Sequence, residues 1–290
     1  MKSIRYILEA LLLGILLLLA KMLPVQWASA LGGWLGRTIG PKLAASRKAE
    51  NNIRASLTAL SETEIKKTVA GMWENLGRVM MEYPHLKHIG RQRTEIVGLE
   101  ILEKYKQQST LLFSGHLANW EVCPPALLLK GNFPAMPIYR APNNPFSDKL
   151  LKWARSMGGK LKTIPKSKTG TRQLVKALQE GAHIGMLIDQ KYNEGIEADF
   201  MGRPAMTSPV YAQLAQKFDI PLIPLRIERT EGPNFRVTVF PPLETRNKNI
   251  EEIIDESHKL LGNWIKEKPE QWLWLHRRWD SKKLKENNDA

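Results

Sequence analysis

From Thr94 onward the chain repeats one rhythm, a short apolar run followed by a helical pattern. The runs TLLFSG, AMPIY, KLKTI, HIGMLID and IPLIPLRI alternate with PFSDKLLKWARSM, TGTRQLVKALQEG and MTSPVYAQLAQKF. Strands separated by helices of this length are joined by the crossover connections that parallel pairing requires. The pattern predicts an α/β fold, a mixed but largely parallel sheet flanked by helices. NFRVTVFPPL alternates at period two and adds an antiparallel strand, and NIEEIIDESHKLLGNWIKEKPE closes the chain with a helix. Upstream, residues 42–83 read as a helical region. Ser61 and Glu64 stand at capping-box spacing, and Val69, Met72, Trp73, Leu76, Val79 and Met80 follow at spacings of three and four, as a core-facing stripe does. Pro84-His85 is expected to end that helix.

The N-terminus is apolar without interruption from Ala10 to Ala20, too short to span a bilayer; extended to Ile4–Pro24 it approaches spanning length but takes in Arg5, Glu9 and Lys21. Three readings fit: a retained anchor, a cleaved signal with WASA as an imperfect cleavage site, and a buried helix. Trp27 and Trp34, with Lys21, Arg37 and Lys42, resemble interfacial anchors and favour the first. Residues 1–24 are therefore expected to form a membrane anchor helix. With no Gly- or Ser-rich linker beyond it, residues 25–290 are expected to form one domain. The net charge of +14 predicts attraction to anionic partners. The basic residues are dispersed, with no nucleic-acid-binding motif among them, so nucleic acid is not an expected partner. Cys123 is the only cysteine, which excludes an intramolecular disulfide.

In α/β sheets ligands sit beyond the carboxyl ends of strands, and three sequence points fall there. His116 follows LLFSG, with Asn119 placed to cap the next helix and Glu121 in its first turn. Residues five apart diverge by roughly 140° on one helix. The pair meets only if His116 sits in the turn and Glu121 on the helix. Glu121 can then orient one ring nitrogen, leaving the other to accept a proton from an alcohol. A structural histidine beside an unrelated glutamate fits the same spacing. Arg140 follows PIY and can grip a phosphate or an oxyanion, or be an ordinary surface cation. Asp189 ends HIGMLID and can hold Arg140 or a sugar, or serve as a salt-bridged or capping aspartate. The buried setting expected for Cys123 reads as an inert small hydrophobe. QWLWLHRRW offers Trp272, Trp274 and Trp279 either to an interface or to the core. No clustered Cys/His ligand set appears, and neither a metal nor an organic cofactor is expected.

GHLANWE, YRAPNNP, LIDQKYNEG, DFMGRPAMTSP and WLWLHRRW stand in the order found in the bacterial late acyltransferases of lipid A biosynthesis. That family lies within the lysophospholipid acyltransferase superfamily with its His-x4-Asp/Glu motif, and the resemblance runs from the N-terminal anchor to about Trp279. It implies a bacterial inner-membrane enzyme with a cytoplasmic active site. Such an enzyme transfers a fatty acyl group from acyl carrier protein to a hydroxyacyl chain of a lipid A precursor. His116 would be the base and Glu121 its partner, with no acyl-enzyme. Arg140, Asp189, Arg203, Arg277 and Arg278 would bind substrate or stabilise charge, and Lys282 and Lys283 offer further phosphate contacts. The family usually has an aromatic residue or Gly where Leu117 and Ala118 stand, and often a more aromatic version of DFMGRP. An acyltransferase for another glycolipid or a lysophospholipid remains an alternative, although the FPEGTR-like block of glycerolipid enzymes is absent. A non-enzymatic, membrane-tethered protein that binds anionic ligands is a more distant one.

Overall fold

The computed structural model describes residues 2–279. Helices dominate the N-terminal third: α1 (Lys2–Met22), α2 (Val25–Ile39), α3 (Ser46–Ser56), α4 (Glu62–Glu82) and α5 (Leu86–Gln92). The capping box forms as expected: Ser61 Oγ accepts from the Glu64 amide, and the Glu64 carboxylate accepts from the Ser61 amide at 2.8 Å. α4 ends at Glu82, so Pro84-His85 closes that helix as expected, but Pro84 does not end the helical region. It sits in a tight 3-10 turn, Tyr83–His85, that leads directly into α5, because a proline near a helix start loses no intrahelical bond. α2 packs on α4 with backbones in contact: a Cβ at Gly32 would collide with the Gly77 carbonyl, and one at Gly36 with that of Trp73.

The remainder builds the sheet. In chain order follow β1 (Thr94–Val97), α6 (Leu99–Lys104), β2 (Thr110–Ser114), α7 (Cys123–Leu129), β3 (Ala135–Tyr139), α8 (Pro145–Arg155), β4 (Ile164–Pro165), α9 (Lys168–Gln179) and β5 (His183–Leu187). A hairpin, β6 (Ile196–Asp199) with β7 (Pro204–Thr207), precedes α10 (Val210–Lys217), β8 (Leu222–Glu231), β9 (Asn234–Val239) and α11 (Ile250–Glu267). The seven-stranded sheet runs β1-β9-β8-β2-β5-β3-β4. Its neighbours are parallel except β8 and β9, which pair antiparallel, so it is the mixed, largely parallel sheet that the alternation predicts.

β2 lies at the centre with all five of its residues buried, flanked by β5 and β8, and so aims its C-terminal end into the interior. KLKTI contributes only the two residues of β4, an edge stub. Neither β1 nor the small hairpin announces itself in the sequence. β1 and each hairpin strand have only four residues, and the hairpin strands show too little apolar alternation to stand out.

Candidate active site

β2 and β5 run parallel in a register that sets Ser114 opposite Leu187. The chain leaves β2 through Gly115, where a Cβ would press to 3.2 Å on Asp189 Oδ2 and on Leu261. His116 comes next, and Asp189, two residues beyond β5, meets it. His116 Nδ1 donates to Asp189 Oδ1 at 2.8 Å, while its backbone N–H donates to Oδ2 at 2.7 Å. The Trp272 indole N–H adds a third bond to Oδ2 at 2.8 Å. Asp189 is fully buried. Burial, the largest influence on it, opposes ionisation, but its hydrogen bonds with His116, and the attraction of that ring when it is protonated, outweigh that, and the carboxyl is held well below the usual carboxylate range. An anionic Asp189 fixes the proton on Nδ1 and leaves the Nε2 lone pair available. The Gln190 amide approaches Nε2 at 3.3 Å as a donor. The His116 ring is wedged edge-on between Trp120 and His276, with centroids at 4.9 Å and 4.6 Å.

Asp189 thus takes the orienting position that the spacing assigns to Glu121, and it binds neither Arg140 nor solvent. Glu121 faces another way. Asn119 accepts from its amide at 3.2 Å, capping a single 3-10 turn rather than an α-helix. Its carboxylate is clasped at both oxygens by Arg155 from the end of α8, with Nε to Oε2 at 2.8 Å. Burial works against the Arg155 charge, but the Glu121 hydrogen bonds and charge overcome it and push its pKa up. A local pattern could not expose this arrangement: His116 and Asp189 are 73 positions apart, Glu121 and Arg155 34. Arg155 and Gln190 carry no local signature that singles them out.

The loop between His116 and Glu121 is held from outside. Ala118 has φ 45°, the left-handed region that favours glycine. Its N–H donates to the Gln271 carbonyl at 2.7 Å, and its carbonyl accepts from Asn75 Nδ2 at 2.8 Å. Asn119 Nδ2 donates to Glu82 Oε2 at 2.8 Å. Glu82 is fully buried, and its remaining partners are Ser29 Oγ at 2.6 Å and a bidentate Arg229, with Nη2 to Oε2 at 3.0 Å.

A cavity of about 700 Å³ opens beside His116. Leu86, Leu112, Leu127, Ala135, Ile164, Leu174, Leu225 and Ile227 supply much of its apolar wall, and His116, Glu121, Arg140, Arg155, Lys166 and Gln190 are among its polar groups. Arg140 stays exposed just beyond β3. Cys123 also lines the cavity, and burial pushes its thiol up to about 12, so it is no nucleophile at neutral pH.

The other basic positions stand apart from this cavity. Arg203 stacks on the Trp279 ring at 4.2 Å and donates to Ser56 Oγ at 3.2 Å. Arg278 is a correction: it is fully buried, donates to the Met206 carbonyl and Thr207 Oγ1, lies over the Phe200 ring, and presents no face to a phosphate. Desolvation pulls its pKa down to about 10. Arg277 is exposed outside the cavity, and Lys282 and Lys283 lie outside the described residues. Trp272, Trp274 and Trp279 are buried together with Phe200, which settles them in the core rather than at an interface.

The family described as bacterial lipid A biosynthesis acyltransferase matches residues 1–281, nearly the whole chain. The chain belongs to this family. It is similar to the lipid A biosynthesis lauroyltransferase of Escherichia coli K12, with 25% identity over 96% of this chain and 93% of that one. It is also similar to the palmitoleoyltransferase of the same strain and to a lipid A biosynthesis acyltransferase of Shigella flexneri, each 23% identical over 95% of this chain and 92% of the relative. Acyl transfer in lipid A biosynthesis is the chemistry of this family, and an acyltransferase site must be sought where the acceptor's proton and a long acyl chain can meet. In this member, the His116–Asp189 pair stands beside such an apolar cavity.

The buried histidines of this acyltransferase predict its response to acid. Burial lowers His276, beside His116, to about 4, and lowers His258 and His183 equally far. Unfolded, each would titrate near 6.5. Between these values the unfolded chain binds more protons, so stability falls as pH drops, by up to about 1.4 kcal/mol per pH unit for each group. Asp189 acts in the same direction, its contribution being lost only as pH falls below the unfolded carboxyl range. The expected result is a steep loss of melting temperature in detergent between pH 6.5 and pH 4.5; an unchanged melting temperature would contradict this burial.

Proposed function

We propose that this enzyme transfers a fatty acyl group from an acyl carrier protein thioester to the hydroxyl of a hydroxyacyl chain on a lipid A precursor, at a membrane surface facing the cytoplasm. The observation that carries the reading is the buried Asp189–His116 pair, whose Nε2 faces an apolar cavity. The acceptor hydroxyl gives its proton to His116 Nε2 as its oxygen bonds to the thioester carbonyl carbon. Asp189 stabilises the imidazolium and fixes its orientation. Collapse of the tetrahedral intermediate breaks the C–S bond, and the departing thiolate takes the proton back from His116. The thioester arrives activated, so alignment and charge stabilisation are what the protein must add.

Arg140 and Lys166 border the same space and are cations suited to a phosphate or the developing oxyanion, while Arg155 is held by Glu121. The net charge of +14 suits an acidic carrier protein and phosphorylated lipid alike. Arg203 and Arg277 are left as outer contacts at most. The test is purified enzyme in detergent with acyl carrier protein bearing chains of graded length and a tetra-acylated, phosphorylated lipid A precursor, with product read by mass. One added acyl group is expected, with a clear optimum in chain length. No transfer from any donor to this acceptor would overturn the assignment and favour another glycolipid.

A further inference from the structure

α1 is long and apolar enough to cross a membrane, yet the protein holds it along much of its length. Near its start, the buried Asn144 side chain donates to the Tyr6 carbonyl at 2.8 Å and to Glu9 Oε2 at 3.1 Å. At mid-helix Gly14 faces Leu150 of α8. At its end His85 Nε2 meets the Ala20 carbonyl at 2.9 Å, and Lys21 donates to the Pro84 carbonyl at 3.2 Å. From Tyr6 to Lys21 is about 22 Å of a helix about 31 Å long. The opposite face is an unbroken exposed stripe: Ile4, Leu8, Leu11, Ile15, Leu18 and Met22.

An upright α1 would drag α8 into the hydrocarbon. The exposed surface of α8 carries Lys149 and Lys152 beside Phe146 and Trp153, and the exposed Arg140 lies just before it. Charged side chains facing lipid at depth are strongly disfavoured, even with Lys152 paired to Asp148 at 2.6 Å, whereas mixed aromatic and basic side chains are what the headgroup region accepts. Crossing would also carry Lys2 and Arg5 to the far side. α2 repeats the α1 pattern, exposing Trp27, Leu31 and Trp34 while its glycines face α4.

We propose that α1 lies along one leaflet without crossing the bilayer, with α2 and α8 embedded beside it in the same interface. α8 then joins membrane to site, because its cap Asn144 grips α1 while its last residue, Arg155, holds Glu121 in the cavity wall. The cavity opens at headgroup level, where a lipid acceptor is delivered without leaving its leaflet. The proposal rests on the membrane association read above, and its test has no catalytic readout.

The buried Cys123, with its thiol pushed up to about 12, makes the natural chain a quiet background for cysteine labelling. Ser3→Cys and Lys176→Cys variants of the full chain would be exposed to an impermeant maleimide in spheroplasts and in everted vesicles. Both are expected to react in the same preparation; reaction in opposite preparations would overturn the proposal. Bimane at Ile4→Cys, Leu12→Cys, Leu19→Cys and Trp153→Cys, quenched by lipids spin-labelled at graded depths, should report one shallow depth. A Leu12→Cys probe at the bilayer centre, or an unquenched Trp153→Cys, would overturn it as well.

Discussion

Asp189→Asn is expected to lower turnover about 10³-fold or more while leaving the enzyme folded. The carboxylate receives three donors: His116 N–H and the Trp272 indole at Oδ2, and His116 Nδ1 at Oδ1. An amide has one oxygen. Placed at the Oδ2 position it keeps two of those bonds and turns its NH₂ toward Nδ1. His116 must then carry its proton on Nε2, the atom that should accept one. His116→Ala, which removes the base outright, is expected to fall at least as far. Glu121→Gln is expected to differ in kind: it weakens the Arg155 clasp while leaving His116 and Asp189 in register, so its main effect should be on KM. Steady-state kinetics on the three variants check this. A Glu121→Gln variant that collapses kcat and shifts the acidic limb of the pH profile, beside a near-normal Asp189→Asn, would return the orienting role to Glu121.

Arg229→Met is expected to cost about 3–5 kcal/mol of stability, because it strands the Glu82 carboxylate in the interior. Arg229 also bonds Asn75 Oδ1 at 3.1 Å and the Gly232 carbonyl at 2.8 Å, so one substitution unties several polar groups at once. The effect should reach the site. Glu82 holds Asn119 and Asn75 holds the Ala118 carbonyl, and these are the contacts that keep the strained loop beside His116 in place. Pairing Arg229→Met with Glu82→Leu removes the uncompensated charge and should recover most of the stability but not the loop's Asn119 contact. Denaturant unfolding of the single and double variants, with activity measured on the folded fraction, separates the two consequences. Equal destabilisation in both would show that the ion pair is not the source of the cost.

The limits of local sequence are visible in particular residues. TLLFSG is legible as a central strand because its side chains are apolar on both faces, and the Ser61–Glu64 box because its partners are three positions apart. β1 and the β6–β7 hairpin are not legible, since four-residue strands take their pairing from distant neighbours. QWLWLHRRW fits an interface and a core equally well as a sequence, and only packing decides it: the tryptophans fill the interior, and Arg278 goes in with them to hold Met206 and Thr207.

By itself the sequence determined the α/β class, the place of His116 at a strand end, the apolar N-terminal helix and the inert setting of Cys123. Each follows from periodicity or from neighbours within one or two turns. The tertiary structure alone decided which carboxylate bonds His116. Parallel strands bring together residues that a crossover has separated by many positions, so Asp189 reaches Nδ1 from β5 while Glu121, close in sequence, turns away to Arg155. Hydrogen bonding is set by distance in space, and in a parallel sheet that distance has little to do with distance along the chain.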